Sequence, residues 1–92
     1  MIPSEITQSL NALPGWEYNA PHLEKTFQFQ NFREAISFIV RMSFCAEELN
    51  HHPEILNVYN RVQLKLTTHD AGNQVTSKDI ALARAIEAFS WR

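Results

Sequence analysis

A single cysteine, Cys45, stands in a chain of 92 residues that also has only two glycines and four prolines. One thiol excludes an intrachain disulfide and any zinc knuckle built from Cys-x-x-Cys pairs. The expectation for Cys45, set in an apolar run, is a buried and inert side chain, in a reducing, cytoplasmic compartment. A basic stripe is also missing. Eight Lys and Arg residues are scattered among ten Asp and Glu, for a net charge of −2. Phosphate contacts supply most of a nucleic-acid binder's affinity, so no nucleic-acid partner is expected. No long hydrophobic run occurs either. The most apolar stretch, residues 35–46, is interrupted by Ser37, Arg41 and Ser43, which leaves it too short and too polar to span a bilayer. The opening Met1-Ile2-Pro3-Ser4-Glu5 lacks the pattern of a signal peptide, so no membrane association is expected.

What remains reads as one domain, residues 1–92, with a modest core. Without a disulfide, such a core needs good packing or self-association for support. Ser4 is the expected cap of a first helix whose stripe is Ile6, Leu10 and Leu13, with Pro14-Gly15 as its stop. Trp16–Tyr18 reads as a short strand. From Leu23 to Phe29 the pattern alternates, with Leu23, Lys25, Phe27 and Phe29 on one face, as in a half-buried strand.

Asn31 is the expected N-cap of a long helix reaching about Leu49. Its polar residues Glu34, Ser37, Arg41 and Glu48 form one narrow stripe. The rest is apolar, more than one sheet covers, so a homodimer or homotetramer joined through this helix, about residues 31–49, is expected. Ile55–Tyr59 and Val62–Thr68 read as a hairpin turning at Asn60-Arg61. Thr76 caps a last helix, with Asp79 placed as in a capping box. The order α-β-β-α-β-β-α implies an α+β domain: a four-stranded antiparallel sheet with three helices on one face.

Histidines carry the chemical signal. His22 lies alone in a turn and reads as a surface residue. His51 and His52 follow the long helix directly, and His69 ends the last strand. The hairpin brings the start of one strand beside the end of the other, so His69 is expected near His51 and His52. Pro53 biases His52 toward an extended backbone, so the helix is expected to end near Leu49-Asn50. An imidazole, with an ordinary pKa of about 6.5, gives or takes a proton near neutral pH. Taken alone, His-His-Pro also serves as a plain helix stop. Three histidines and a water would also make a zinc site, but the His-Glu-x-x-His spacing is absent.

The stretch Glu47-Glu48-Leu49-Asn50-His51-His52-Pro53-Glu54, with Asn57-Val58-Tyr59-Asn60, Thr67-Thr68-His69-Asp70 and Asp79-Ile80-Ala81-Leu82-Ala83, resembles the pterin-4a-carbinolamine dehydratase family. The resemblance implies elimination of water from a 4a-hydroxytetrahydropterin by histidine acid–base chemistry, with no metal and no cofactor. It implies His51, His52 and His69 as catalytic residues. Glu47, Pro53, Thr68, Asp70, Ala71 and Asp79 are the implied substrate-binding positions. Family members often carry Trp where this chain has Ile55, so an aromatic pocket wall is not expected. Some members also act as dimerisation cofactors of a transcription factor. The corresponding alternative is an interaction module using Phe38, Val40, Met42 and Phe44.

Overall fold

The computed structural model describes residues 1–89; the last three positions of the expected 1–92 domain lie outside the described residues. The elements are α1 (Pro3–Leu10), β1 (Glu17–Asn19), β2 (His22–Gln28), α2 (Phe32–Glu48), β3 (Glu54–Val58), β4 (Arg61–Leu66), a 3-10 turn (His69–Ala71) and α3 (Ser77–Phe89). The sheet order is β1-β2-β4-β3, antiparallel throughout. This is the α+β arrangement read from the sequence. The connection through α2 carries the chain past β2 to the far edge, and the second hairpin returns β4 to the middle. Leu23 faces Leu66 and Phe27 faces Val62 across β2 and β4. These residues are buried with Leu64 against the helices, because side chains alternate sides along a strand.

Two element starts differ from the sequence reading. α1 begins at Pro3, with Ile2 rather than Ser4 at the cap position. Proline is preset for a first helical position, and Glu5 Oε1 accepts the Ile2 N–H at 3.0 Å. The second hairpin turns at Tyr59-Asn60, one residue earlier than Asn60-Arg61, since Val58 pairs with Arg61. Tyr59 takes a left-handed φ of 50°. Side-chain amides make that turn possible. Asn57 Nδ2 donates to the carbonyls of Tyr59 and Arg61, while Asn60 Nδ2 donates to Phe29 O at 2.9 Å and Asn60 O accepts the Phe29 N–H.

α2 starts as the sequence implies, with Asn31 Oδ1 accepting the Glu34 N–H at 2.9 Å. Ala35, Phe38, Met42 and Ala46 face inward. Phe38 is a hub of the core, its ring 4.6 Å from Phe27 and 5.1 Å from Phe29 between centroids. Phe38 and Met42 therefore belong to the core and not to an adhesive surface. The outward apolar residues are Phe32, Ile36, Val40 and Phe44. They recur every fourth residue and so form one continuous ridge.

Lys25 occupies a core-facing position on β2 yet keeps its charge satisfied. Its Nζ donates to Pro14 O at 2.6 Å and to Glu87 Oε2 at 2.8 Å. Trp16 Nε1 donates to the same carboxylate oxygen at 3.0 Å. The lysine stem crosses Gly15, where a Cβ would lie 2.9 Å from Lys25 Cε and where φ is +80°. A residue other than glycine would be strained there on both counts. Among the described residues no helix is long and apolar enough to cross a membrane.

Candidate active site

The end of α2 builds the first wall of the site. Asn50 adopts a left-handed φ of 51°. The His51 N–H reaches back to Ala46 O at 2.9 Å and the Asn50 N–H to Glu47 O at 3.1 Å. This double bond pattern closes a helix with a left-handed residue, a position that asparagine tolerates. Pro53 then holds the chain extended into β3. His51 and His52 are thus fixed by a helix cap on one side and a strand on the other.

His51 turns inward. It is 8% exposed, and its Nε2 lies 2.5 Å from Asp79 Oδ1. Asp79 is fully buried, at 0% exposure. A carboxylate is tolerated there only when its oxygens are bonded. Asp79 Oδ2 accepts the Thr68 hydroxyl and the Thr76 N–H, each at 2.8 Å. The second bond is the reciprocal arm of the α3 cap, and Thr76 Oγ1 accepts the Lys78 N–H at 3.2 Å. One carboxylate therefore starts α3, anchors the end of β4 and orients His51.

His52 turns outward, with Nε2 2.6 Å from Glu47 Oε1. His69 sits on the 3-10 turn, its Nδ1 3.2 Å from Asn73 Oδ1. That turn is held by the Thr68 N–H bonded to Gln74 O and by Gly72 at a left-handed φ of 75°.

An open cleft of about 280 Å³ joins these pieces, lined by Asn50, His51, His52, Thr67, Thr68, His69, Asp70 and Lys78. His69, distant in sequence, thus meets His51 and His52 at one cavity, together with Thr68 and Asp70. Asp79 lies behind His51, and Glu47 lies beside His52. Pro53 and Ala71 flank the lining residues in sequence without lining the cleft. Ile55 lies on β3, outside it. His22 is half-buried and pairs with Glu54 at 3.2 Å, bridging the starts of β2 and β3. Asn50, Thr67 and Lys78 were not singled out from sequence. Strand alternation offered a signal for Thr67, which faces away from Thr68. Lys78, next to Asp79 in the first turn of α3, offered none. Among the described residues no three or more His, Cys, Asp or Glu side chains gather as a metal-ligand set.

The sequence model of the family described as Pterin 4 alpha carbinolamine dehydratase matches residues 1–89. The chain belongs to this family of hydro-lyases. A relative named pterin-4-alpha-carbinolamine dehydratase from Opitutus terrae is 56% identical over 91 residues, covering 99% of this chain and 94% of its own. Another of that name, from Thermomicrobium roseum, is 51% identical over 81 residues, covering 88% and 86%. Among solved structures, a transcriptional coactivator/pterin dehydratase from Brucella melitensis superposes with a TM-score of 0.88 at 39% identity, covering 96% of this chain and 95% of that one. A pterin dehydratase-like protein described as a RuBisCO assembly factor of the alpha-carboxysome shares the fold, with a TM-score of 0.63 at 22% identity over 79% of this chain and 83% of its own.

Proposed function

We propose that this chain eliminates water from a 4a-hydroxytetrahydropterin to give the quinonoid dihydropterin, as a step in tetrahydrobiopterin recycling in the cytoplasm. The observation that carries this reading is the meeting of His51, His52 and His69 on one cleft. The reaction needs two proton movements and no electron transfer. An acid protonates the C4a hydroxyl, the C–O bond breaks and water leaves. A base takes the N5 proton, and the N–H electron pair becomes the new N5=C4a bond. His51 and His52 are the acid–base pair in this reading. Each positioned group of this kind contributes roughly 10²–10⁴-fold. His69, with Thr68 and Asp70, binds and orients the ring. Asp79 and Glu47 act through the imidazoles that they hold. The backbones of Pro53 and Ala71 shape the flanks of the cleft.

Self-association is the second part of the reading. Phe44, 71% exposed, continues the ridge of Phe32, Ile36 and Val40. Such a surface fits the matching face of a second copy by ridge-into-groove packing, giving a homodimer or homotetramer.

The test of the reaction generates the 4a-hydroxy intermediate with an aromatic amino acid hydroxylase and follows its ultraviolet decay. Added protein accelerates the decay, His51→Ala and His52→Ala variants do so far less, and a chelator leaves the wild-type rate unchanged. A wild-type protein that leaves the spontaneous rate untouched sinks the reading.

A further inference from the structure

His22 reads as a surface residue, yet its side chain is only 25% exposed and its Nε2 lies 3.2 Å from Glu54 Oε2. An ionised carboxylate only accepts, so Nε2 carries the proton of this bond. The two residues belong to strands that are not neighbours. β4 lies between β2 and β3, and its Lys65 is opposite both Glu24 and Glu54. Leu23 is buried in the core, so strand alternation puts His22 on the outer face of the sheet with Glu24, Lys65 and Glu54. The bond therefore passes over β4 and ties the start of β2 directly to the start of β3. His22 is itself held from the other side, where it pairs with Asn19 on β1. Asn19 Nδ2 donates to Glu24 Oε1 at 2.8 Å, and His22 turns to the more distant carboxylate.

The tie secures the end of β3 that leads into the cleft. Glu54 with Lys65 is the last pair of the β3/β4 ladder. β3 is an edge strand, and a strand end at an edge opens more readily than the core. On the helix side the last fixed point is the His51 N–H on Ala46 O. Between these two anchors, no group among the described residues bonds to the main chain of His52 or Pro53. The His51 ring is locked by buried Asp79. The His52 ring has only the exposed Glu47 beside it. The place of His52 is therefore set largely by where Glu54 begins the strand.

We propose that His22 is a positioning residue for His52, acting through Glu54. The inference rests on the acid–base reading of His52. His22 does not line the cleft. By holding Glu54 at the last rung of the ladder, it fixes the point at which Pro53 and His52 leave the sheet. Misplacing a reacting group by 1 Å costs up to about 10²-fold in rate. The pair itself adds little to global stability, because Glu54 is 70% exposed and such pairs are weak. Its effect is local, on the aim of one imidazole.

The test compares the wild type with His22→Ala, His22→Gln, Glu54→Ala and the double variant His22→Ala with Glu54→Ala. Each is followed by thermal melts, by amide hydrogen exchange and by turnover of the 4a-hydroxy intermediate. His22→Ala is expected to melt within about 4 °C of the wild type, the scale of one exposed pair. Its kcat falls about 3–10-fold with KM within about twofold, as for a displaced reacting group. Its Glu54 amide exchanges faster, while that of Leu56 keeps the wild-type rate. Glutamine places an N–H where Nε2 stands, so His22→Gln restores both kcat and exchange. The double variant is no slower than Glu54→Ala alone, since partners in one interaction are not additive. An unchanged kcat in His22→Ala overturns the inference, as does a loss that His22→Gln leaves unrestored. Failure of His22→Ala to fold, or a much lower melting temperature, also overturns it by making His22 a general support. A wild type without turnover sinks the dehydratase reading and this role together; an active wild type matched by His22→Ala sinks this role alone.

Discussion

Asp79 stands behind His51, with Oδ1 2.5 Å from Nε2, while its other oxygen is bonded to Thr68 and Thr76. The imidazole is held by a fully buried group that does not line the cleft. Asp79→Asn is expected to reduce dehydratase turnover by roughly 10²-fold or more, within the range of one acid–base group. Asp79→Ala is expected also to destabilise the fold by about 3–5 kcal/mol, the penalty for breaking a buried, bonded pair. Urea denaturation and the decay assay check the two effects separately.

The His52–Glu47 pair is the contrasting case. Its side chains are 60% and 76% exposed, and such pairs contribute little to stability. Glu47→Gln and His52→Gln are each expected to leave the denaturation midpoint close to that of the wild type. His52→Gln is nevertheless expected to abolish most of the turnover, and Glu47→Gln to give a smaller loss. Parallel melts and kinetics decide this. If paired acid and base operate, the wild-type profile of kcat/KM against pH is bell-shaped, and its apparent pKa values belong to the coupled site.

Two phenylalanines of α2 are expected to respond differently to substitution. Phe38→Ala removes a core hub and is expected to cost about 3–5 kcal/mol, seen as loss of a cooperative melt. Phe44→Ser on the exposed ridge is expected to keep the monomer fold and, if the ridge joins two copies as proposed, to lower the mass measured by light scattering after size exclusion. An unchanged mass for Phe44→Ser together with Val40→Ser would rule out the ridge as the interface.

Cys45 is expected to be a sluggish nucleophile. Burial, and then the neighbouring Glu48 carboxylate, raise its pKa above the ordinary value of 9.0. The thiolate therefore appears only at higher pH, and alkylation by iodoacetamide stays slow through neutrality. Glu48→Gln removes one of the two causes and is expected to shift the rate profile toward lower pH. The sign for stability follows. The folded chain favours the neutral thiol, so that contribution is present below the unfolded pKa and is lost as pH rises through the folded one.

Much of this was legible in the sequence. The element order, the Asn31 cap, the strand faces and the meeting of the histidines followed from periodicity and from the hairpin. The missed details were those where side chains overrule local preference. Asn57 and Asn60 moved the hairpin turn onto Tyr59, a residue with no propensity for a left-handed conformation. Lys25 read as part of an apolar face, but its partner Glu87 lies 62 residues away in the chain. Phe38 and Phe44 looked equivalent because both belong to the apolar remainder of α2 outside its polar stripe, and only the position of the sheet separates buried Phe38 from exposed Phe44.

The left-handed cap at Asn50 couples the length of α2 to the aim of the imidazoles. Adding or deleting one residue in a helix rotates whatever follows by about 100°. A single-residue indel anywhere between Asn31 and Asn50 would swing His51 off Asp79, whereas loops such as Asn11–Gly15 are not under that constraint. Length drift in descendants of this chain should therefore accumulate in its loops, leaving the helix with a fixed count of residues.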